Sequence, residues 1–181
     1  MNTFTLEVAG VTRELKVCSV SNSVNIAAFI MFGDVELTVN CAKELLKQAP
    51  EHDIIITAEA KGIPLAYEMA RQSEKNDYLV ARKGVKVYMH NPISVAVKSI
   101  TTAKMQKLFI DEADAAKMKG RRVLIVDDVI STGESLHAIE ALVNEAGGNI
   151  VGRMSVLAEG DAQKRNDITF LAPLPVFSKA N

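Results

Sequence analysis

Tryptophan is missing from the sequence, and three tyrosines and six phenylalanines are its only aromatic residues. So thin a supply of flat rings argues against a stacking platform for single-stranded nucleic acid. Charge of one sign is missing too: 21 basic side chains stand against 22 acidic ones, for a net charge of −1. Without a basic excess there is no broad footprint for DNA or RNA, so no nucleic-acid partner is expected. Only two cysteines occur, Cys18 and Cys41, too few for a disulfide framework and not at metal-ligand spacing. They read as reduced thiols of a cytoplasmic protein. His52, His90 and His137 are scattered and share no ligand spacing either. The longest apolar run, Ile26 to Phe32, is far short of the roughly 20 residues that cross a bilayer. The first residues lack a basic stretch followed by an apolar one. Neither a membrane partner nor a secretory leader is expected.

What the chain does have is strand–helix alternation. Its 181 residues fit one domain, and no linker or repeat divides them. Phe4 to Val8 alternates as a strand does and ends at Gly10. Val39, Ala42, Leu45 and Leu46 recur at helical spacing before Pro50. Ile54-Ile55-Ile56 is a short continuous apolar run, the pattern of a strand covered on both faces. It leads through Ala58 to Gly62 into a helix carrying Ile63, Ala66, Met69 and Ala70. Tyr78 to Ala81 and Val123 to Val126 read as further strands. A second helix bears Leu136, Ile139, Leu142 and Val143, Gly147-Gly148 stops it as a left-handed cap, and Ile150 to Leu157 returns as a strand. The fold class is therefore α/β, a parallel sheet flanked by helices. Residues 84–110 differ: Val85, Val87 and Met89 alternate, as do Val95 and Val97, with His90-Asn91-Pro92 as the turn of a projecting, flexible hairpin or loop. Asp111 is placed to cap a short helix after it.

The chemistry concentrates in residues 123–135, Val-Leu-Ile-Val-Asp-Asp-Val-Ile-Ser-Thr-Gly-Glu-Ser. A buried strand ends in two carboxylates, then a loop of small hydroxyl residues and glycine opens a helix. Ligands of open α/β sheets sit at the carboxyl ends of strands, and backbone N–H groups at a helix N-terminus favour phosphate. Ser131, Thr132, Gly133, Glu134 and Ser135 therefore offer a seat for a phosphate monoester. Asp127 and Asp128 are unsuited to phosphate, but carboxylates accept hydrogen bonds from vicinal sugar hydroxyls. Together these features are shaped for a ribose 5-phosphate. A triphosphate P-loop is excluded, because no Gly-x4-Gly-Lys-Ser/Thr occurs.

Residues 123–135 resemble, position by position, the signature of type I phosphoribosyltransferases that binds 5-phosphoribosyl-1-pyrophosphate (PRPP). The likeness runs over residues 24–178 in the order and spacing of elements. Its nearest branch is that of adenine phosphoribosyltransferases, through Ala60-Lys61-Gly62-Ile63, Ala81-Arg82-Lys83-Gly84 and the ending Leu171 to Ser178. The resemblance implies a single domain in which residues 1–36 contribute a hood and 84–110 a flexible loop. It also implies a homodimer and salvage of a purine base, adenine first. Asp127 and Asp128 would hold the ribose hydroxyls, and Ser131 to Ser135 the 5-phosphate. Ala60, Lys61 and Gly62 would hold pyrophosphate, with a cis peptide before Lys61 and cationic help from Arg82, Lys83 and Lys86. Mg²⁺ would be held mainly through PRPP itself, and Asp127 or a loop residue would handle the proton of the base.

The chain departs from that branch in three places. Lys61 stands where arginine is usual, which keeps charge but loses a bidentate fork. The segment Val97 to Thr102 lacks the Glu-Tyr pair of adenine enzymes. Asn25 to Ile30 lacks a Phe-Arg-Asp stretch, leaving Ile26 and Phe29 as the base-side candidates, with Phe29 open to a plain core reading. Xanthine, guanine, hypoxanthine or orotate thus remain as alternative bases. A non-catalytic PRPP sensor of the same fold is the alternative to an enzyme; it would bring an appended DNA-binding unit, for which the residues before 24 leave no room.

Overall fold

The structure, a computed structural model, describes residues 3–98 and 105–179. Its centre is a five-stranded sheet in the order β10-β9-β8-β4-β5, and every pairing in it is parallel. The strands are β4 (Ile54–Ala58), β5 (Leu79–Ala81), β8 (Arg122–Ile130), β9 (Asn149–Glu159) and β10 (Thr169–Leu174). All five residues of β4 are buried, as its unbroken apolar run requires of a strand with both faces covered. On one face lie α1 (Val35–Leu46) and α2 (Ile63–Gln72), which bury Leu37, Cys41, Leu45, Leu65 and Met69. On the other lie α3 (Glu112–Met118) and α4 (Glu134–Glu145), with Met118, Ile139 and Leu142 in a second cluster.

A separate antiparallel sheet joins the two ends of the chain. β1 (Thr3–Val8), β2 (Val11–Ser19) and β3 (Val24–Ala27) follow one another, and β11 (Val176–Ser178) adds to β3. Leu6, Val8, Leu15 and Phe29 pack into the first cluster together with Leu174. This small sheet therefore stands over the β9–β10 side of the central one.

The alternation at Val85 to Met89 does not make a strand. The antiparallel pair is instead β6 (Ile93–Lys98) with β7 (Met105–Ile110), so His90-Asn91-Pro92 precedes the pair rather than turning within it. Leu108 and Ile110 are buried against the second cluster, with Ile93, Val95 and Val97 packed beside them. Val85 and Val87 have no apolar face to meet and stand exposed. The joining residues 99–104, where the departure at Ser99 to Thr102 falls, lie outside the described residues. Asp111 does occupy the N-cap of α3 but makes no cap hydrogen bond; its Oδ1 accepts from the His90 N–H at 2.6 Å. Among the described residues no helix is long and apolar enough to cross a membrane.

Candidate active site

β4 and β8 pair only from Ile54–Val123 to Ile56–Ile125, although β4 runs on to Ala58 and β8 to Ile130. β8 thus continues beside β9 alone, with Asp127 opposite Ser155 and Val129 opposite Leu157. The acidic pair therefore lies inside β8 and not at its end. The sequence understates this strand because two adjacent carboxylates look like a terminus. Along β8 the faces also exchange. Leu124 and Val126 belong to the first core cluster and Val123 and Ile125 to the second, yet further on Val129 packs with the first and Ile130 with the second. That slip in alternation lets two consecutive residues, Asp127 and Asp128, both line one cleft, which a regular strand would forbid.

The turn after β4 enters where β4 and β8 part. A Cβ at Gly62 would stand 2.2 Å from Thr57 Oγ1, 3.0 Å from Asp127 Oδ1 and 3.3 Å from Asp127 Cα. Only glycine fits there. A cis peptide joins Glu59 to Ala60, one residue before the position expected from the resemblance. Lys61 reaches back over the turn, its Nζ 3.0 Å from Asp128 Oδ2. Asp128 is buried and that oxygen accepts no hydrogen bond among the described residues; the ammonium is close but poorly aligned. Asp127 Oδ1 accepts from the Asp128 N–H at 2.8 Å. Asp127 is walled in by protein although it borders the cleft, and its pKa is raised. The cause is first this desolvation and then the neighbouring charge of Asp128.

Asp127, Asp128, Ala60, Lys61 and Lys83 border a cleft of about 420 Å³, which Ser131 and Ser135 also line. Ile26 and Phe29 form part of its far wall, although Phe29 is 4 % exposed and chiefly a core residue. Next to it a second hollow, about 190 Å³, is lined by Ser131, Thr132, Gly133, Glu134 and Ser135. Gly133 caps α4 with φ +80, so the chain enters the helix through a left-handed residue, and the first-turn N–H groups end at this hollow.

Two expected members are already engaged, both by Glu59. Arg82 Nη2 donates to Glu59 Oε1 at 3.2 Å and Nη1 to the Tyr88 hydroxyl at 2.9 Å. It lines a different and larger cavity, about 510 Å³, beyond β5, with Tyr67, Arg71, Tyr78, Tyr88 and Asp111. That cavity includes neither the acidic pair nor the 131–135 loop. Lys86 Nζ lies 3.6 Å from the same Glu59 Oε1, and Glu59 Oε2 accepts from the Lys83 N–H at 3.0 Å. That N–H first, and the Arg82 guanidinium after it, lower the Glu59 pKa. Glu59 went unnoticed in the sequence, yet a carboxylate directly before the Ala60-Lys61-Gly62 turn was a readable sign. Gln106 of β7, which lines the smaller hollow, and Glu159 at the end of β9, which lines the cleft, gave no signal of their own. Cys41 is fully buried, and that burial pushes its thiol up to about 12, which removes it as a nucleophile.

The architecture is that of a three-layer α/β protein with paired carboxylates in the C-terminal half of a central strand, just before the helix N-terminus that follows it. The chain belongs to the family described as phosphoribosyl transferase domain, which matches residues 36–173, a family of pentosyltransferases. An adenine phosphoribosyltransferase of Kosmotoga olearia is 30% identical over 141 residues, 78% of this chain and 74% of that protein. A hypoxanthine/guanine phosphoribosyltransferase of Methanococcus voltae is 34% identical over 113 residues, 62% of this chain but only 56% of that protein. In fold the chain is similar to the adenine phosphoribosyltransferase of Saccharomyces cerevisiae, solved with an imino-altritol bisphosphate and adenine. The TM-score is 0.64 at 20% identity, over 94% of this chain and 93% of that one.

Proposed function

We propose that this protein transfers the 5-phosphoribosyl group of PRPP to a purine base, adenine first, giving the nucleoside monophosphate and pyrophosphate. One observation carries the reading. The acidic pair of β8 lies between the hollow of residues 131–135 and the Ala60-Lys61-Gly62 turn, all bordering connected clefts. A phosphorylated sugar laid along β8 would meet donors at its 5-phosphate, acceptors at its 2- and 3-hydroxyls, and cations Lys61 and Lys83 at its pyrophosphate. Adenine relatives on one side and hypoxanthine/guanine relatives on the other support a purine and leave adenine as the favoured base.

In the reaction the C1–O bond breaks and its electron pair leaves with pyrophosphate. Positive charge grows on the sugar meanwhile, as in glycoside cleavage. A ring nitrogen of the base then bonds C1, and its proton passes to Asp127, whose raised pKa suits it to accept one. Lys61 and Lys83 stabilise the charge that develops on the leaving group. Arg82 and Lys86 join them once pyrophosphate replaces Glu59 as their partner.

Mg²⁺ fits this donor set. Asp128 offers a buried carboxylate oxygen with no hydrogen bond, and no cluster of three ligating side chains occurs among the described residues. An ion that takes one or two carboxylates and completes its shell with substrate oxygens and water matches that supply. Held by PRPP and touched by Asp128, Mg²⁺ would neutralise part of the pyrophosphate charge.

Tyr67 and Tyr88 are exposed at the 510 Å³ cavity, and Val85 and Val87, just before Tyr88 in the chain, are exposed as well, an apolar surface of the kind that marks a contact site. A second copy covering this face gives the homodimer, and light scattering that finds only the monomer mass removes it. The function itself is tested by incubating the protein with PRPP, Mg²⁺ and adenine, guanine, hypoxanthine, xanthine or orotate, followed by chromatography. AMP as the main product is expected. No nucleotide from any base, with PRPP still bound in calorimetry, would leave a PRPP-sensing regulator as the reading.

A further inference from the structure

The base side of the cleft contains a carboxylate that the reaction leaves without a task. Glu159 is the last residue of β9 and pairs in register with Leu174 of β10. Both line the cleft, as do Ile26, Ala27, Phe29 and Val129; Glu159 also borders a neighbouring hollow of about 460 Å³ with Ser131, Thr132 and Arg165. Among the described residues the Glu159 side chain makes no hydrogen bond or ion pair; its only charged influence is Lys61, acting at a distance. Burial in this wall raises its pKa, with Lys61 opposing. A carboxylate half sunk in an apolar wall without a partner costs stability, and a ligand that donates hydrogen bonds would offset that cost.

Which end of the substrate comes here follows from the order of the strands and the stereochemistry, given the reading above. The pyrophosphate turn follows β4, the acidic pair lies on β8, and Glu159 ends β9, one strand further from β4. PRPP is α-linked at C1 and the product nucleotide β-linked, so the base must enter the face opposite the departing pyrophosphate. With pyrophosphate on the β4 side, the base comes to the β9 side, between Glu159 and the wall of Ile26 and Phe29.

We infer that Glu159 reads the substituent at C6 of the base and makes the protein selective for the 6-aminopurine adenine over 6-oxopurines. An ionised carboxylate only accepts hydrogen bonds. It therefore suits the 6-amino group of adenine and opposes the carbonyl oxygen that hypoxanthine, guanine and xanthine present at C6. The inference rests on the proposed transfer to a purine, and its test separates the two.

The measurement is kcat/KM for adenine against hypoxanthine and against guanine, both 6-oxopurines, in the wild type, Glu159→Gln and Glu159→Leu. Loss of a charged hydrogen bond is expected to lower the amino-over-oxo ratio by about 10- to 100-fold. The Gln variant should go further toward the oxo bases, because its amide can donate where the carboxylate could not. The KM for PRPP should stay within about twofold, as expected for a group that binds the base and not PRPP. An unchanged ratio in both variants overturns the inference while leaving the transferase reading intact. So does a shift that falls on PRPP affinity or Mg²⁺ requirement instead, which would assign Glu159 to the pyrophosphate side. If no base is turned over, calorimetry with AMP and IMP decides. Tighter AMP binding that disappears in Glu159→Leu supports the inference, and equal affinities, or no binding of either, overturn it.

Discussion

Gly62→Ala is expected to weaken PRPP binding by at least about 100-fold, at a modest loss of stability of ~1–3 kcal/mol, the usual cost of overpacking. The added methyl would fall 2.2 Å from Thr57 Oγ1, and the Asp127 backbone, 3.3 Å away at Cα, bars retreat on the other side. Thr57 is wholly buried, and a β-branched side chain in a strand has few rotamers to escape into. The turn must therefore lift, carrying Lys61 off Asp128 and pushing on Asp127 together. A cleft that needs positioning to within about half an ångström loses most of its affinity to such a shift. The double variant Thr57→Ala with Gly62→Ala removes the shortest contact and should regain at least part of the affinity. That non-additive recovery in calorimetric titration ties the effect to the turn. Normal PRPP affinity in Gly62→Ala would show that the turn does not touch pyrophosphate.

The elements legible in the sequence were those whose pattern is decided locally. Ile54-Ile55-Ile56 is a buried parallel strand because nothing but apolar contact can satisfy it, and Gly147, at φ +74, ends α4 as a left-handed cap. Residues 131–135 mark a helix entry because Gly133 is the one residue there that takes φ +80 without strain. What escaped the sequence depends on partners far along the chain. The extension of β8 to Ile130 is imposed by β9 through Asp127–Ser155 and Val129–Leu157, and adjacent acids hide it. Val85 and Val87 alternate convincingly but find no neighbouring strand, whereas Val95 and Val97 find β7. Arg82 reads as a free strand-end cation until Glu59, 23 residues earlier, is seen to hold it. Sequence shows which residues carry charge, but only the fold shows which of them already neutralise one another.

The same coupling makes Asp128→Asn the sharper test of the ribose assignment. The change is nearly isosteric, and Lys61, left without its partner, is 52% exposed and can be solvated, so the fold should persist. PRPP should nevertheless lose a charge-assisted hydrogen bond worth up to ~3 kcal/mol, about 100-fold in Kd. A second consequence falls on Asp127. Its pKa is raised first by desolvation and next by the charge of Asp128; without that charge it should move back toward the ordinary aspartate value near ~3.9. For a carboxylate whose folded pKa lies above the unfolded one, ionisation favours the unfolded chain. Stability is therefore whole below the unfolded pKa and declines as pH rises from there to the folded pKa. Asp128→Asn should shrink that decline, so its melting temperature relative to the wild type should rise between about pH 4 and neutrality. The acid limb of kcat, where it reports ionisation of Asp127, should shift to lower pH in the same variant. Calorimetric titration of PRPP and thermal melts across that range read both effects from one protein. Unchanged PRPP affinity would remove Asp128 from the ribose site, and parallel melting curves would show that the two carboxylates are not coupled.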